Sequence, residues 1–215
     1  MPVALSAVII AKNEAHQIER CIKAVLQVTA DVVVVDSGST DGTVEIARSL
    51  GAKVVVHEWI GYAQNKNYGN TFAQHDWILS VDADEVLSEA LIGTIQQLEL
   101  QEKEVYLLDR LNNYCGKWVK HSGWYPDWKI RIFNRNQVSW LGQYVHETLA
   151  IPAHFKEVKL SGKLLHYSYQ DKEDHLKRID RYSTLGARQL FDKGKKATWT
   201  KLWLSPLFRF VRTYI

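Results

Sequence analysis

Two carboxylates one residue apart, Asp82 and Asp84, end the run Trp77-Ile-Leu-Ser-Val-Asp-Ala-Asp-Glu85. Side by side they repel, and a hard divalent cation carrying a diphosphate would reconcile them. Taken alone, such a pair is more often a solvated turn, here one leading into a helix from Ser88, because short motifs recur by chance. Two other polar loops follow apolar runs in the same way. Asn13-Glu14 follows Val3 to Ala11, and Asp36-Ser-Gly-Ser-Thr-Asp41 follows the β-branched run Asp31-Val-Val-Val-Val-Asp36. A parallel sheet brings all three loops to its carboxyl edge, where open α/β folds bind nucleotides.

Charged and aromatic residues around these loops extend the chemistry. Lys66 and Arg131 are fixed positive charges in an acidic neighbourhood and suit diphosphate contacts. Trp124, Tyr125 and Trp128 offer flat faces for a sugar acceptor, with Asp127 among them to hold or deprotonate a hydroxyl. Glu147 is a second carboxylate that could take that proton if it lies within hydrogen-bond reach. The same residues have plainer uses. Asp36 could cap the helix near Gly42, His166 could be a core histidine, the aromatics could be core, Lys66 and Arg131 could be structural, and Asp127 could pair with Lys129 or Arg131.

The elements that must position them follow from periodicity. Residues 3–11, 31–36, 53–57 and 77–81 are predicted strands, and 15–25, 43–50 and 62–72 helices, the second closed by Gly51. This alternation predicts a parallel sheet with right-handed crossovers. Beyond Glu85 the pattern changes to a helix over 88–100, strands over 104–111 and 129–133, short apolar segments at 145–148 and 164–168, and a helix over 171–191 with Leu176, Ile179, Tyr182, Leu185 and Leu190 as its apolar stripe. The expected organisation is one domain over 1–192, with a nucleotide half (1–87) and an acceptor half (88–192), and a tail over 193–215.

Composition is that of a globular protein, 46% apolar and 24% charged. Cys21 and Cys115 form neither a disulfide framework nor a zinc pattern, which fits a reducing compartment. No signal peptide and no membrane-spanning run is expected, and the absence of a stop signal before Ile215 suits a longer natural protein. Of 27 basic residues, six lie in 193–215, where there is no acid, so the rest of the chain is net −3. Basicity confined to the tail argues against nucleic acid and for an anionic surface. Trp199, Trp203, Leu207, Phe210 and Tyr214 share one helical face, with Lys201, Arg209 and Arg212 opposite, and Ser205-Pro206 is expected to break and restart the helix. That pattern reads as an interfacial segment, with packing on the domain or on a second copy as the alternative.

Neither G-x-G-x-x-G nor G-x-x-x-x-G-K-[ST] occurs, so dinucleotide and P-loop readings have no support. The run Ser6-Ala-Val-Ile-Ile-Ala-Lys-Asn-Glu14, the run Val33-Val-Val-Asp-Ser-Gly-Ser-Thr-Asp-Gly-Thr43 and Asp82/Asp84 together resemble inverting family 2 glycosyltransferases of the GT-A fold. The segments Ser122-Gly-Trp-Tyr-Pro-Asp-Trp-Lys-Ile-Arg-Ile-Phe133, Val145-His-Glu147 and Leu165-His166 resemble the branch that glucosylates the lipopolysaccharide core.

The resemblance implies an α/β, Rossmann-like, mostly parallel sheet with flanking helices, followed by C-terminal amphipathic helices. It implies a UDP-sugar donor and a divalent metal, Mg2+ or Mn2+. Asp36 would hold the uracil near the Ala11 backbone and the Asn13-Glu14 loop, Asp82 the ribose or diphosphate, and Asp84 and His166 the metal. Gly123 would border the donor sugar, and Glu147 would be the catalytic carboxylate, where the family more commonly has Asp in a Glu-Asp pair. The acceptor would be a lipid-linked saccharide at the cytoplasmic face of a bacterial inner membrane. A sugar-phosphate nucleotidylyltransferase would want a glycine-rich phosphate loop where Lys12-Asn13-Glu14 stands, and a non-catalytic saccharide-binding protein would not need the full acidic set.

Overall fold

The computed structural model describes residues 3–142, 147–169 and 171–214, without the side chains of Lys177, Arg181 and Tyr214. Val145 and His146 therefore lie outside the described residues, and Glu147 lies inside. The first half alternates as expected. Strands β1 (Leu5–Ala11), β2 (Asp31–Asp36), β3 (Lys53–Val56) and β4 (Trp77–Asp82) are separated by helices α1 (Ile18–Val25), α2 (Thr43–Ser49) and α3 (Tyr62–Asn70). These four strands are parallel in the order β3-β2-β1-β4. Val33, Val34 and Val35 are fully buried, because helices cover both faces of the sheet. Each contributes roughly 1.5–3 kcal/mol by burial.

The register fixes the functional edge. Ala11 pairs with Asp36 and Ile10 with Asp82, so the loops after β1, β2 and β4 emerge side by side. On one face of the sheet α1 packs through Ile18, Cys21, Ile22 and Val25. On the other, α3 lies close because residue 69 is glycine: a Cβ there would stand 2.6 Å from Val8 Cγ1 and 2.7 Å from Val35 Cγ2.

The second half of the chain extends the sheet with mixed polarity. It adds β5 (Glu85–Leu87), α4 (Glu89–Gln96), β6 (Glu104–Tyr114), β7 (Lys117–Trp118), β8 (Trp128–Asn134), the small pair β9 (Ser139–Leu141) and β10 (Thr148–Ala150), and β11 (Lys156–Tyr169). The main sheet runs β3-β2-β1-β4-β8-β6-β11-β5, with β7 on β6. Strand β8 is antiparallel to both β4 and β6, whereas β11 is parallel to β6. At the centre of β11, Gly162 has φ +98°, and a Cβ there would meet Leu91 N at 2.4 Å, so strand and helix α4 touch backbone to backbone. Ser88 fastens this crossing: its Oγ accepts from Lys163 N at 2.9 Å and caps α4.

Two long helices end the described chain, α5 (Lys172–Asp192) and α6 (Trp199–Tyr214). Asp171 caps α5 by accepting from Asp174 N at 2.8 Å. The apolar stripe of α5 is largely bare, with Leu176 65% and Ile179 48% exposed. The expected break at Ser205-Pro206 does not occur, and α6 continues through Pro206. Proline deletes one N–H from the ladder, and the turns on either side carry the helix on. Trp199, Trp203 and Phe208 are all more than two-thirds exposed, and Phe208 and Leu204 widen the apolar surface beyond the expected face. No helix among the described residues is long and apolar enough to cross a membrane.

Candidate active site

At the carboxyl edge of β1 and β4 the sheet opens into a cavity of about 910 Å3. Its floor is Ile10 to Glu14 and Asp82 to Asp84. Arg110, His166 and Ser168 come from β6 and β11, Glu147 from the segment before β10, and Tyr62, Asp174 and Arg178 from α3 and α5. A second hollow of about 300 Å3 adjoins it, lined by Asn112, Gly123, Trp124 and Asp127, and shares Arg110 and His166.

The two carboxylates of the Asp82/Asp84 motif are in different electrostatic states. Asp82 is held by two buried cations: Lys66 Nζ is 3.1 Å from its Oδ1, close enough for charge pairing though not aligned as a hydrogen bond, and Arg131 Nη2 donates to Oδ2 at 2.8 Å. Burial opposes the charge of Asp82, but Lys66 and Arg131 outweigh it and keep its carboxyl far below the usual range. Arg131 also donates to Glu85, a carboxylate with no exposed surface. The expectation of diphosphate contacts from Lys66 and Arg131 is therefore corrected. Both are buried counter-ions behind the cavity wall, because Asp82, Glu85 and Glu147 need compensating charge within the fold.

Asp84 is different. Its Oδ2 lies 3.2 Å from His166 Nε2, and His166 Nδ1 is 2.6 Å from Asn112 Oδ1. Burial again opposes the charge of Asp84, and His166 more than offsets it. His166 itself is pushed down by burial and up, on balance, by Asp84. Glu14, on the same wall, is driven from 4.5 to about 7 by burial first and by Asp84 second.

Among the described residues no cluster of three or more His, Cys, Asp or Glu forms a ready metal cage. The Asp84 and His166 pair nevertheless fits a cation held by one carboxylate and one imidazole with the remaining positions left to substrate oxygens.

Glu147 lines the large cavity, and its Oε1 accepts from Lys66 Nζ at 2.9 Å. The same ammonium lies 4.5 Å from the Trp140 ring. Asp127 is otherwise engaged: Arg110 Nε donates to its Oδ2 at 2.8 Å and Lys129 Nζ is 3.0 Å from Oδ1. Burial works against its charge, but Arg110 and Lys129 hold its carboxyl below the ordinary value.

The remaining expectations divide. Ala11, Asn13 and Glu14 line the cavity. Asn13, at φ +56°, also ties the first loop to the second, since its Oδ1 accepts from Thr40 N at 2.9 Å. Asp36 does not line the cavity: its Oδ2 accepts from Gly38 N and Ser39 N, each at 2.9 Å, and it is buried holding its own turn. Gly123 and Trp124 border the smaller hollow.

Tyr125 and Trp128 line neither cavity, a correction to the expected acceptor platform. Tyr125 donates to Asp109 Oδ2 at 3.1 Å, and Trp128 packs under Lys159. Both belong to the face carrying Asp109, because Trp128 pairs with Asp109 in the β6–β8 ladder.

Sequence reading missed Trp59, Tyr62, Arg110, Tyr169, Arg178 and Tyr182 on the cavity wall. The i,i+4,i+8 spacing of Asp174, Arg178 and Tyr182 was the available signal, and on a helix it is indistinguishable from a solvated face.

The family model for Glycosyl transferase family 2 matches residues 6–155. The chain belongs to this family. Among similar family members, an uncharacterized glycosyltransferase of Rickettsia bellii is 35% identical over 98% of this chain and 77% of its own length. The lipopolysaccharide core biosynthesis glycosyltransferase LpsC of Rhizobium meliloti is 29% identical over 98% of this chain and 80% of its own.

Among solved structures, a mannosyltransferase of Pyrobaculum calidifontis in complex with GDP-Man and Mn2+ superposes with a TM-score of 0.57 at 16% identity, over 90% of this chain and 66% of that one. Mannosyl-3-phosphoglycerate synthase of Rubrobacter xylanophilus gives 0.51 at 16% identity, over 91% and 76%. These structures share the fold, which is GT-A. The protein is a family 2 glycosyltransferase.

Proposed function

We propose that this glycosyltransferase moves a hexose, with inversion and with help from a divalent metal, from a UDP-sugar to a lipid-linked saccharide of the lipopolysaccharide core type. The observation that carries the reading is the sharing of one cavity by the Asp84–His166 pair and Glu147, with Asp82 already neutralised from behind. Asp84 Oδ2 and His166 Nε2 are the residues that would hold the metal, whose chemistry is to neutralise the oxygens of the departing diphosphate. The likeness to LpsC supports the acceptor class, and glucose is the donor sugar suggested by the sequence resemblance.

Inversion is a single displacement. The acceptor oxygen forms its bond to the anomeric carbon as the bond to the nucleoside diphosphate breaks with its electron pair. The acceptor proton passes to Glu147. Lys66 fixes Glu147 through Oε1. Asp127 is less suited as base because Arg110 and Lys129 already hold its negative charge.

The basic, aromatic surface of α6 supports binding to an anionic membrane face, taken in this reading to be the cytoplasmic leaflet of a bacterial inner membrane. The test is nucleotide release from a panel of UDP- and GDP-sugars with Mn2+ or Mg2+, with and without chelator. UDP-sugar turnover that stops on chelation supports the reading; turnover indifferent to metal, or confined to GDP-sugars, overturns it. Glu147→Gln should lower kcat by about 10^2–10^4 with donor affinity retained; wild-type turnover would remove Glu147 from its role.

A further inference from the structure

We propose that Arg178 of α5 is the protein's own cation for the leaving diphosphate, held ready for it by Asp174. The inference deepens the proposed transfer reaction and rests on it. A diphosphate leaving group carries more negative charge than one divalent ion cancels, so a second positive group has work to do as the bond breaks.

Most cations around the cavity are committed elsewhere. Lys66 and Arg131 sit behind the wall in ion pairs with Asp82, Glu85 and Glu147. Arg110 lines the cavity but spends Nε and Nη2 on Asp127 Oδ2, at 2.8 and 2.7 Å, with Glu85 at 3.5 Å. Lys12 lies on the exposed rim.

Arg178 enters the cavity from α5. It lines the same cavity as Asp84, His166 and Glu14. Its guanidinium rests 5.6 Å from the Tyr169 ring centroid, which restricts its swing.

Its link to Asp174 is one-sided. Arg178 Nε donates to Asp174 Oδ1 at 3.0 Å, while Asp174 Oδ2 is buried without a hydrogen-bond partner among the described residues. A closed fork-to-fork pair would use both carboxylate oxygens. The bond through Nε orients the guanidinium and leaves the pairing of its two terminal nitrogens to a ligand with two oxygens, the geometry that phosphate presents.

The helix is anchored on both sides of this residue. Tyr182 Oη lies 3.5 Å from Tyr62 Oη, and Tyr114 Oη lies 3.0 Å from His175 Nδ1. Arg178 sits between these two contacts of α5, one to α3 and one to β6. Asp174 acts through Arg178 and is a positioning residue.

The test uses the full chain with Mn2+ and compares Arg178→Ala, Arg178→Lys and Asp174→Asn with the wild type. Calorimetry gives the affinity for UDP and for uridine, and steady-state kinetics with the donor sugar give kcat and KM. Arg178→Ala should weaken UDP by about tenfold or more and leave uridine unchanged, and should lower kcat more than it raises KM. Arg178→Lys, a point charge without the fork, should recover part of both. Asp174→Asn should lower kcat by a smaller factor at an unchanged melting temperature.

Parallel losses for UDP and uridine, or UDP affinity and kcat within twofold of wild type in Arg178→Ala, overturn the assignment while the transfer reaction stands. A wild-type protein that binds neither UDP nor UDP-sugars overturns both.

Discussion

Lys66 concentrates more of the site's energetics than any carboxylate. Its ammonium is 1% exposed and balances Asp82 and Glu147 together. Replacement by methionine keeps the stem and removes the charge, leaving two carboxylates beside an apolar tip. Urea unfolding of Lys66→Met should show a loss of about 3–5 kcal/mol, as for a broken buried pair. Adding Asp82→Asn should recover part of it; a double mutant no more stable than the single would refute the coupling.

Glu14 gives the pH signature. Its folded value of about 7 lies above the ordinary 4.5, so the folded state binds its proton more tightly than the unfolded chain. That contribution is complete below about 4.5 and is lost as pH rises through 7. In chelator-containing buffer, the melting temperature of Glu14→Gln relative to wild type should rise from pH 5 to pH 8; a constant difference would contradict the shift. Little of this was legible beforehand. The Asp82/Asp84 motif announced repulsion, but that Lys66 would answer it from a helix with three buried polar residues, Asn65, Lys66 and Asn70, has no signature in periodicity.

Among the elements, β11 was the least visible and the most consequential. Lys156-Glu-Val-Lys-Leu-Ser-Gly-Lys163 is too polar and too interrupted to read as a strand, and only its end, 164–168, was marked. The strand forms because its backbone pairs with β6 along one side and β5 along the other, a tertiary cause that local sequence does not carry. Gly162 is its critical position. Gly162→Ala forces a Cβ against the Leu91 backbone at a φ that alanine resists, and should cost about 2 kcal/mol or more. Activity should fall with it, since β11 carries His166; full stability by chemical denaturation would show that α4 yields.

A register shift between His166 and Tyr169 lets Ser168 and Tyr169 join the same wall, a detail no alternation rule could foretell. Strand β2 was legible because burial on both faces leaves a continuous β-branched run. For α6, the expected outcome is binding to anionic vesicles that weakens with salt. Reversal of Arg209 and Arg212 to glutamate should cut it more than tenfold, at roughly 1 kcal/mol per basic residue. No binding to vesicles at any salt concentration would favour packing against protein.

For the whole molecule, the family and the carboxyl-edge site followed from three loops in the right order. The division of labour among the charges did not, because it depends on which side chains meet across the sheet. That division has a consequence in time. Asp82, Glu85 and Glu147 receive their counter-ions from Lys66 and Arg131, so the acidic edge is complete when the chain has folded. Folding does not wait for metal. A chelator should silence transfer while the protein stays folded, its melting temperature falling only by what metal binding itself contributes, and added Mn2+ should restore turnover without a refolding lag. Under the proposed metal dependence, a cell starved of metal would keep this enzyme folded and idle until the ion returned.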